Sequence, residues 1–135
     1  MEGSFTLPRE GSTSDPLRIA VLISGGGSGL ASILSYESLG PRFFHTVLVL
    51  ADSDEAGGLD HSRKAGIDSI GIPLPRIVDK KEQRLKHEDL VHEQLEKYNT
   101  ELIALAGYVR IFTPVFVEKW KGRLINIHPS LLPKY

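Results

Sequence analysis

Cysteine is absent from the 135-residue sequence. That removes disulfides, thiolate metal sites and cysteine nucleophiles together, and it fits a reducing compartment, with the cytosol (cytoplasmic) as the expected location. No stretch approaches the ~18 consecutive apolar residues that a membrane-spanning helix needs. Excess charge is lacking as well. Sixteen Lys and Arg against 17 Asp and Glu leave a formal net charge of -1, so no global positive field exists to hold a nucleic-acid backbone or an anionic membrane. Any anion must be held by local geometry. Residues 1–16 lack the apolar core of a secretory signal, and their single basic residue, Arg9, makes a poor transit peptide. Their Gly, Ser, Thr and Pro content reads as a flexible N-terminal leader, irrelevant to the fold. Neither an internal repeat nor a low-complexity block is evident.

What remains is an ordinary globular composition, 41% hydrophobic and 24% charged, at a length suited to one domain. Leu17–Ile23 is a β-branched apolar run, stopped by Ser24-Gly-Gly-Gly-Ser-Gly29, after which Leu30, Ile33 and Leu34 have helical spacing. Residues 44–50 form a second strand, 67–74 a third ended by Pro73 and Pro75, 102–106 a fourth, and 123–127 a fifth. Between them, helices are expected over 59–65, closed by Gly66, over 82–98, and from the Thr113-Pro114 pair through Lys119. In the longest of these, Val91, Leu95 and Tyr98 form the buried stripe. Lys86, His87, Glu88, Glu93 and Lys97 read as a solvated face, and His92 is expected to be solvated as well. Strands alternating with helices predict an α/β fold with an open, mostly parallel, doubly wound sheet.

In such sheets ligands bind beyond the carboxyl ends of strands, near the point where strand order reverses. Three features fall at strand ends: residues 24–29, 107–112 and 126–130. The glycine-rich turn offers backbone N–H groups at a helix start, a cradle for phosphate, although any tight strand-to-helix connection also favours glycine. No Gly-Lys-Ser/Thr follows, so it is not a Walker loop. Counted from Gly25, the third glycine of a dinucleotide fingerprint should stand at 30, which is Leu30. Asp52, ending the second strand, is the one residue that favours a NAD(P) reading. Asn126 and His128 lie two apart at the end of an extended segment and project to one side. Together they could polarise a carbonyl and stabilise an oxyanion, although such a pair also serves ordinary structural roles.

The segment Ile125-Asn-Ile-His-Pro-Ser-Leu-Leu-Pro-Lys-Tyr135 resembles the catalytic segment of the phosphoribosylglycinamide formyltransferases. Leu105-Ala-Gly-Tyr-Val-Arg-Ile-Phe112 is similar to that family's folate-binding stretch, and Val21–Leu30 to its substrate-phosphate loop. Residues 56–59 and 64–67 also resemble family segments. The resemblance implies a Rossmann-like formyltransferase fold. It further implies transfer of a formyl group from 10-formyltetrahydrofolate, as cosubstrate, to the amine of glycinamide ribonucleotide in purine biosynthesis, with no metal. By the same resemblance, Gly27, Ser28 and Gly29 would contact the ribonucleotide phosphate. Arg84, Val109, Arg110, Ile111 and Phe112 would bind folate. Asn126 and His128 would hold the formyl oxygen, His128 stabilising the negative charge that develops on attack.

The sequence departs from the family pattern at two places. Gly29 stands where the loop usually has asparagine, and Ala51-Asp-Ser-Asp54 is more acidic than the usual serine–asparagine exit of the second strand. The family also places a catalytic aspartate, the rest of the folate pocket and further strands beyond this point. The expectation is therefore an N-terminal two-thirds, with residues 17–135 as its nucleotide-binding α/β domain. Such a chain would be catalytically incomplete on its own and prone to self-association through an open edge at 123–127. Formyltetrahydrofolate deformylase shares the Asn-x-His segment but normally carries an N-terminal regulatory domain; methionyl-tRNA formyltransferase lacks this glycine loop. An inactive phosphate-binding fragment is the alternative from another class.

Overall fold

The computed structural model describes residues 7–127. In chain order the elements are β1 (Leu17–Ile23), α1 (Ser28–Ser38), β2 (Phe44–Ala51), α2 (Leu59–Lys64), β3 (Ser69–Gly71), α3 (Lys80–Lys97), β4 (Leu102–Leu105), α4 (Pro114–Lys119) and β5 (Leu124–Asn126). The strands form one sheet in the order β3-β2-β1-β4-β5, and every pairing is parallel. The α/β, doubly wound, parallel architecture expected from the alternating pattern is the one observed. β3 is shorter than its apolar run, because Pro73 and Pro75 cannot donate to a ladder. Ile72 still adds one bond, its N–H reaching Ala51 O at 2.8 Å.

Strand periodicity sorts the core into two layers. Ile19, Val21 and Ile23 of β1 pack with Leu30 and Ile33 of α1 and Leu59 of α2. The intervening Ala20 and Leu22 pack on the other face with Val91 and Leu95 of α3 and Phe116 and Trp120 of α4 or its C-cap. Helices therefore cover both faces, which is why β1 reads as a continuous apolar run rather than an alternating one. No helix among the described residues is long and apolar enough to cross a membrane.

α3 begins at Lys80 because Asp79 caps it, its carboxylate accepting the Glu82 N–H at 2.9 Å. Its polar face is not the solvated surface that its charges suggest. His87 and Glu88 are only 4% and 6% exposed. Each is buried because it has a partner. His87 Nε2 bonds Ile72 O at 2.7 Å, and Glu88 accepts both the N–H and the hydroxyl of Thr113. His92, also expected in solvent, accepts the indole N–H of Trp120 at 3.0 Å.

Two residues of the expected leader make contacts in the part that is described. Arg9 donates to both carboxylate oxygens of Glu101, at 2.5 and 3.0 Å, and to Pro16 O at 3.0 Å. Gly11 lies so close to β2 that an added Cβ would fall 2.0 Å from Phe43 O. Within residues 7–16, Arg9 and Gly11 thus contact residues that flank β4 and β2.

Candidate active site

All strands run the same way, so their carboxyl ends gather at one edge of the sheet. The order reverses at β1, whose neighbours β2 and β4 follow it in opposite directions. The turn after β1 and the turn after β4 therefore face each other across the crevice where this architecture takes ligands. There, Gly25, Gly26, Gly27, Ser28, Gly29, Ala106 and Gly107 line a cleft of about 180 Å³.

The glycines of the first turn play different parts. Gly27 is the N-cap of α1 with a left-handed φ of +73°, and an added Cβ would come within 2.8 Å of Gly58 Cα. Close packing on the turn before α2 dictates that position. Gly58 N–H also donates to Gly25 O at 2.9 Å, which fixes the turn. Gly25 and Gly26, by contrast, are exposed, with nothing within 4 Å of where a Cβ would sit. Neither packing nor φ requires glycine there. α1 has no side-chain cap, so the N–H groups of its first turn open toward the cleft at the positive end of the helix dipole.

The segment from Gly107 to Thr113 separates this cleft from a second one of about 450 Å³. Tyr108, Val109, Arg110, Ile111 and Phe112 line it from one side, and Lys80, Gln83, Arg84 and His87 of α3 from the other. The segment is tethered at alternate residues. Val109 N–H donates to Ser24 Oγ at 2.9 Å, Arg84 Nη2 donates to Ile111 O at 2.8 Å, and Thr113 is held by Glu88. Arg110 Nε donates to Asp52 Oδ2 at 2.8 Å. Tyr108, Phe112 and Phe116 stack in series, with ring centroids 5.5 and 4.2 Å apart. Burial pushes the Tyr108 phenol well above its ordinary range, and the Asp52 charge adds to this against the opposing Arg110.

Of the residues singled out from sequence, the structure gathers Gly27, Ser28 and Gly29 on the smaller cleft. Arg84, Val109, Arg110, Ile111 and Phe112 lie together on the larger one. Asn126 ends β5 beside Leu105, exposed, at the same edge of the sheet. His128 lies outside the described residues. Sequence reasoning passed over Glu88, His87 and Tyr108 as site-forming groups, and it did not foresee the contact of Asp52 with Arg110. The sequence separation of 58 residues leaves that last contact without a local signal. No cluster of His, Asp and Glu that could hold a metal ion occurs among the described residues.

Residues 17–135 match the family model described as formyl transferase. The chain is 38% identical over 119 residues to a phosphoribosylglycinamide formyltransferase of Escherichia coli, a match covering 88% of this chain and 54% of the relative. It is 41% identical over 122 residues to a trifunctional purine biosynthetic protein of Chironomus tentans, covering 87% of this chain and 8% of that protein. Among solved structures, a phosphoribosylglycinamide formyltransferase of Coxiella burnetii superposes with a TM-score of 0.77 at 36% identity, over 90% of this chain and 55% of that one. The Brucella melitensis counterpart gives 0.75 at 34% identity, over 90% and 61%. The chain spans about half the length of the bacterial relatives it matches.

Proposed function

Because the chain belongs to the formyl transferase family, we propose that the protein transfers the formyl group of 10-formyltetrahydrofolate to the amine of glycinamide ribonucleotide, in de novo purine biosynthesis. The observation that carries this reading is the pair of clefts on the two sides of the segment after β4, the smaller of them at the switch point of the sheet. The smaller, walled by backbone at a helix start, suits a phosphate. The larger presents stacked aromatic rings beside Lys80, Arg84 and Arg110, which suits a flat heterocycle with an anionic tail. Residues 17–135 are proposed as the nucleotide-binding part of the enzyme, and the cytosolic location expected from composition belongs to the same proposal.

In the reaction the amine lone pair attacks the formyl carbon, and the C=O electrons move onto oxygen to give a tetrahedral oxyanion. Collapse re-forms the C=O and breaks the carbon–nitrogen bond to tetrahydrofolate, and the proton lost by the attacking amine ends on that departing nitrogen. Gly27, Ser28 and Gly29 are assigned to the ribonucleotide phosphate. Arg84 and residues Val109, Arg110, Ile111 and Phe112 are assigned to folate. Asn126 and His128 are assigned to the formyl oxygen, where preorganised donors act most strongly on charge that appears only in the transition state. The test is formyl transfer measured with the full-length protein carrying this chain. His128→Ala is expected to lower kcat by about 10²–10³-fold with substrate affinities little changed, the scale of removing one oxyanion donor. Undiminished turnover would remove His128 from the mechanism, and absence of turnover in the unaltered protein would sink the assigned activity.

A further inference from the structure

Beyond the residues that line the clefts, the geometry points to Asp52 as a positioning residue that holds the Arg110 guanidinium for the ligand of the larger cleft. This rests on the reading of that cleft as the folate site.

The bond itself is short and unequal in setting. Arg110 Nε reaches Asp52 Oδ2 at 2.8 Å; the Asp52 side chain is 7% exposed and that of Arg110 is 42% exposed. An ion pair out in solvent contributes little, because both partners are hydrated and mobile. Here the acid is sunk at the carboxyl end of β2 while the cation reaches outward to the cleft wall. Arg110 spends its Nε donor on Asp52, and its Nη groups make no hydrogen bond among the described residues. Those four hydrogens form the planar fork that matches a carboxylate or a heterocycle edge.

Holding the loop does not require this bond. The backbone of the loop is already tied at Val109, by Ser24, and at Thr113, by Glu88, while the Ile111 carbonyl is bonded by Arg84. Each of those three tethers acts on a main-chain atom. What Asp52 adds, through its contact with the Arg110 side chain, is the direction of the guanidinium. A long arginine without that partner samples many rotamers, and fixing it beforehand removes the entropy cost at binding.

The experiment uses the full-length protein carrying this chain, with tetrahydrofolate and glycinamide ribonucleotide titrated separately by calorimetry. Asp52→Ala is expected to raise the tetrahydrofolate Kd by about tenfold, the scale of losing one charge-assisted hydrogen bond. Asp52→Asn, which keeps an acceptor oxygen, recovers most of that loss. Glycinamide ribonucleotide affinity stays unchanged in both. In an Arg110→Ala background, Asp52→Ala adds nothing further. An unchanged tetrahydrofolate Kd in Asp52→Ala overturns the proposal, as does equal weakening of both ligands or an additive loss in the double variant. The Arg110 Nε–H resonance supplies a second measurement on the unaltered protein. It should exchange slowly with solvent and shift when tetrahydrofolate is added, and a freely exchanging Nε–H overturns the proposal even where Asp52→Ala does not fold. Absence of tetrahydrofolate binding in the unaltered protein, with Nε–H protected, instead defeats the reading of the cleft on which the proposal stands.

Discussion

At the scale of single residues, three consecutive glycines of one turn face different constraints. Gly27 has the left-handed φ of +73° and a neighbouring Cα 2.8 Å from where a Cβ would sit; Gly25 and Gly26 have open space. Gly27→Ala is therefore expected to destabilise the fold by about 1–2 kcal/mol from backbone strain alone, with the clash on Gly58 in addition. Gly26→Ala should leave the unfolding temperature where it is and weaken glycinamide ribonucleotide, because its methyl would project into the cleft approach. Thermal unfolding and a ligand titration on the two variants separate the roles. A Gly27→Ala protein as stable as the parent would contradict the packing, and full ligand affinity in Gly26→Ala would show that the turn does not approach the ligand. The glycine-rich stretch was legible from sequence, but the division of labour within it was not. That division depends on Gly58, brought to Gly27 only when α2 packs beside α1.

At the scale of elements, what could be read in advance was what neighbouring residues decide together. β1 announces itself by a run of apolar residues, α4 by Thr113-Pro114, and the buried stripe of α3 by Val91 and Leu95. His87 and Glu88 were misjudged because Ile72 and Thr113, which satisfy them, come from other parts of the chain. The contacts of Arg9 lacked a local signal for the same reason. Arg9 and Arg18 both reach Glu101, from positions far earlier in the sequence. Burial alone would raise the Glu101 carboxyl. The hydrogen bonds from Arg9 and the Arg18 N–H, with the charges of both arginines, outweigh it and hold the group below its ordinary 4.5. A carboxylate depressed on folding contributes stability that is fully present above its unfolded value and disappears as pH falls through its folded one. Urea midpoints should therefore favour the parent over Glu101→Gln at pH 7. The gap should close as the pH drops below about 4, near the ordinary glutamate range. A gap that persists at pH 3 would mean that Glu101 acts through packing and not through its charge.

At the scale of the molecule, burial falls from β1 at the centre of the sheet to both edges. Residues Ala20 to Ile23 are fully buried, with β2 and β4 on either side and helices on both faces. β3 and β5 are three-residue edges, and Ile125 of β5 remains 44% exposed. On the α1 face near β5, Ile19, Ile33, Tyr36, Phe44, Leu102 and Ile125 border an open apolar groove of about 410 Å³. Local opening follows the number of partners a strand must shed, so amides of β1 should exchange with deuterium only through global unfolding, while those of β3 and β5 exchange through cheaper openings. The functional edge of the same sheet should respond to ligand in a pattern that its topology dictates. Glycinamide ribonucleotide should slow exchange in 24–31 and 106–109, the two turns that face each other at the switch point. It should leave β3 and the N-terminal segment untouched, since both lie away from that crevice. Uptake measured with and without ligand tests both statements. Protection of β5 equal to that of β1 would show that β5 is not an edge in the intact protein, and ligand protection spread evenly over the sheet would mean that binding stabilises the whole fold without locating the site.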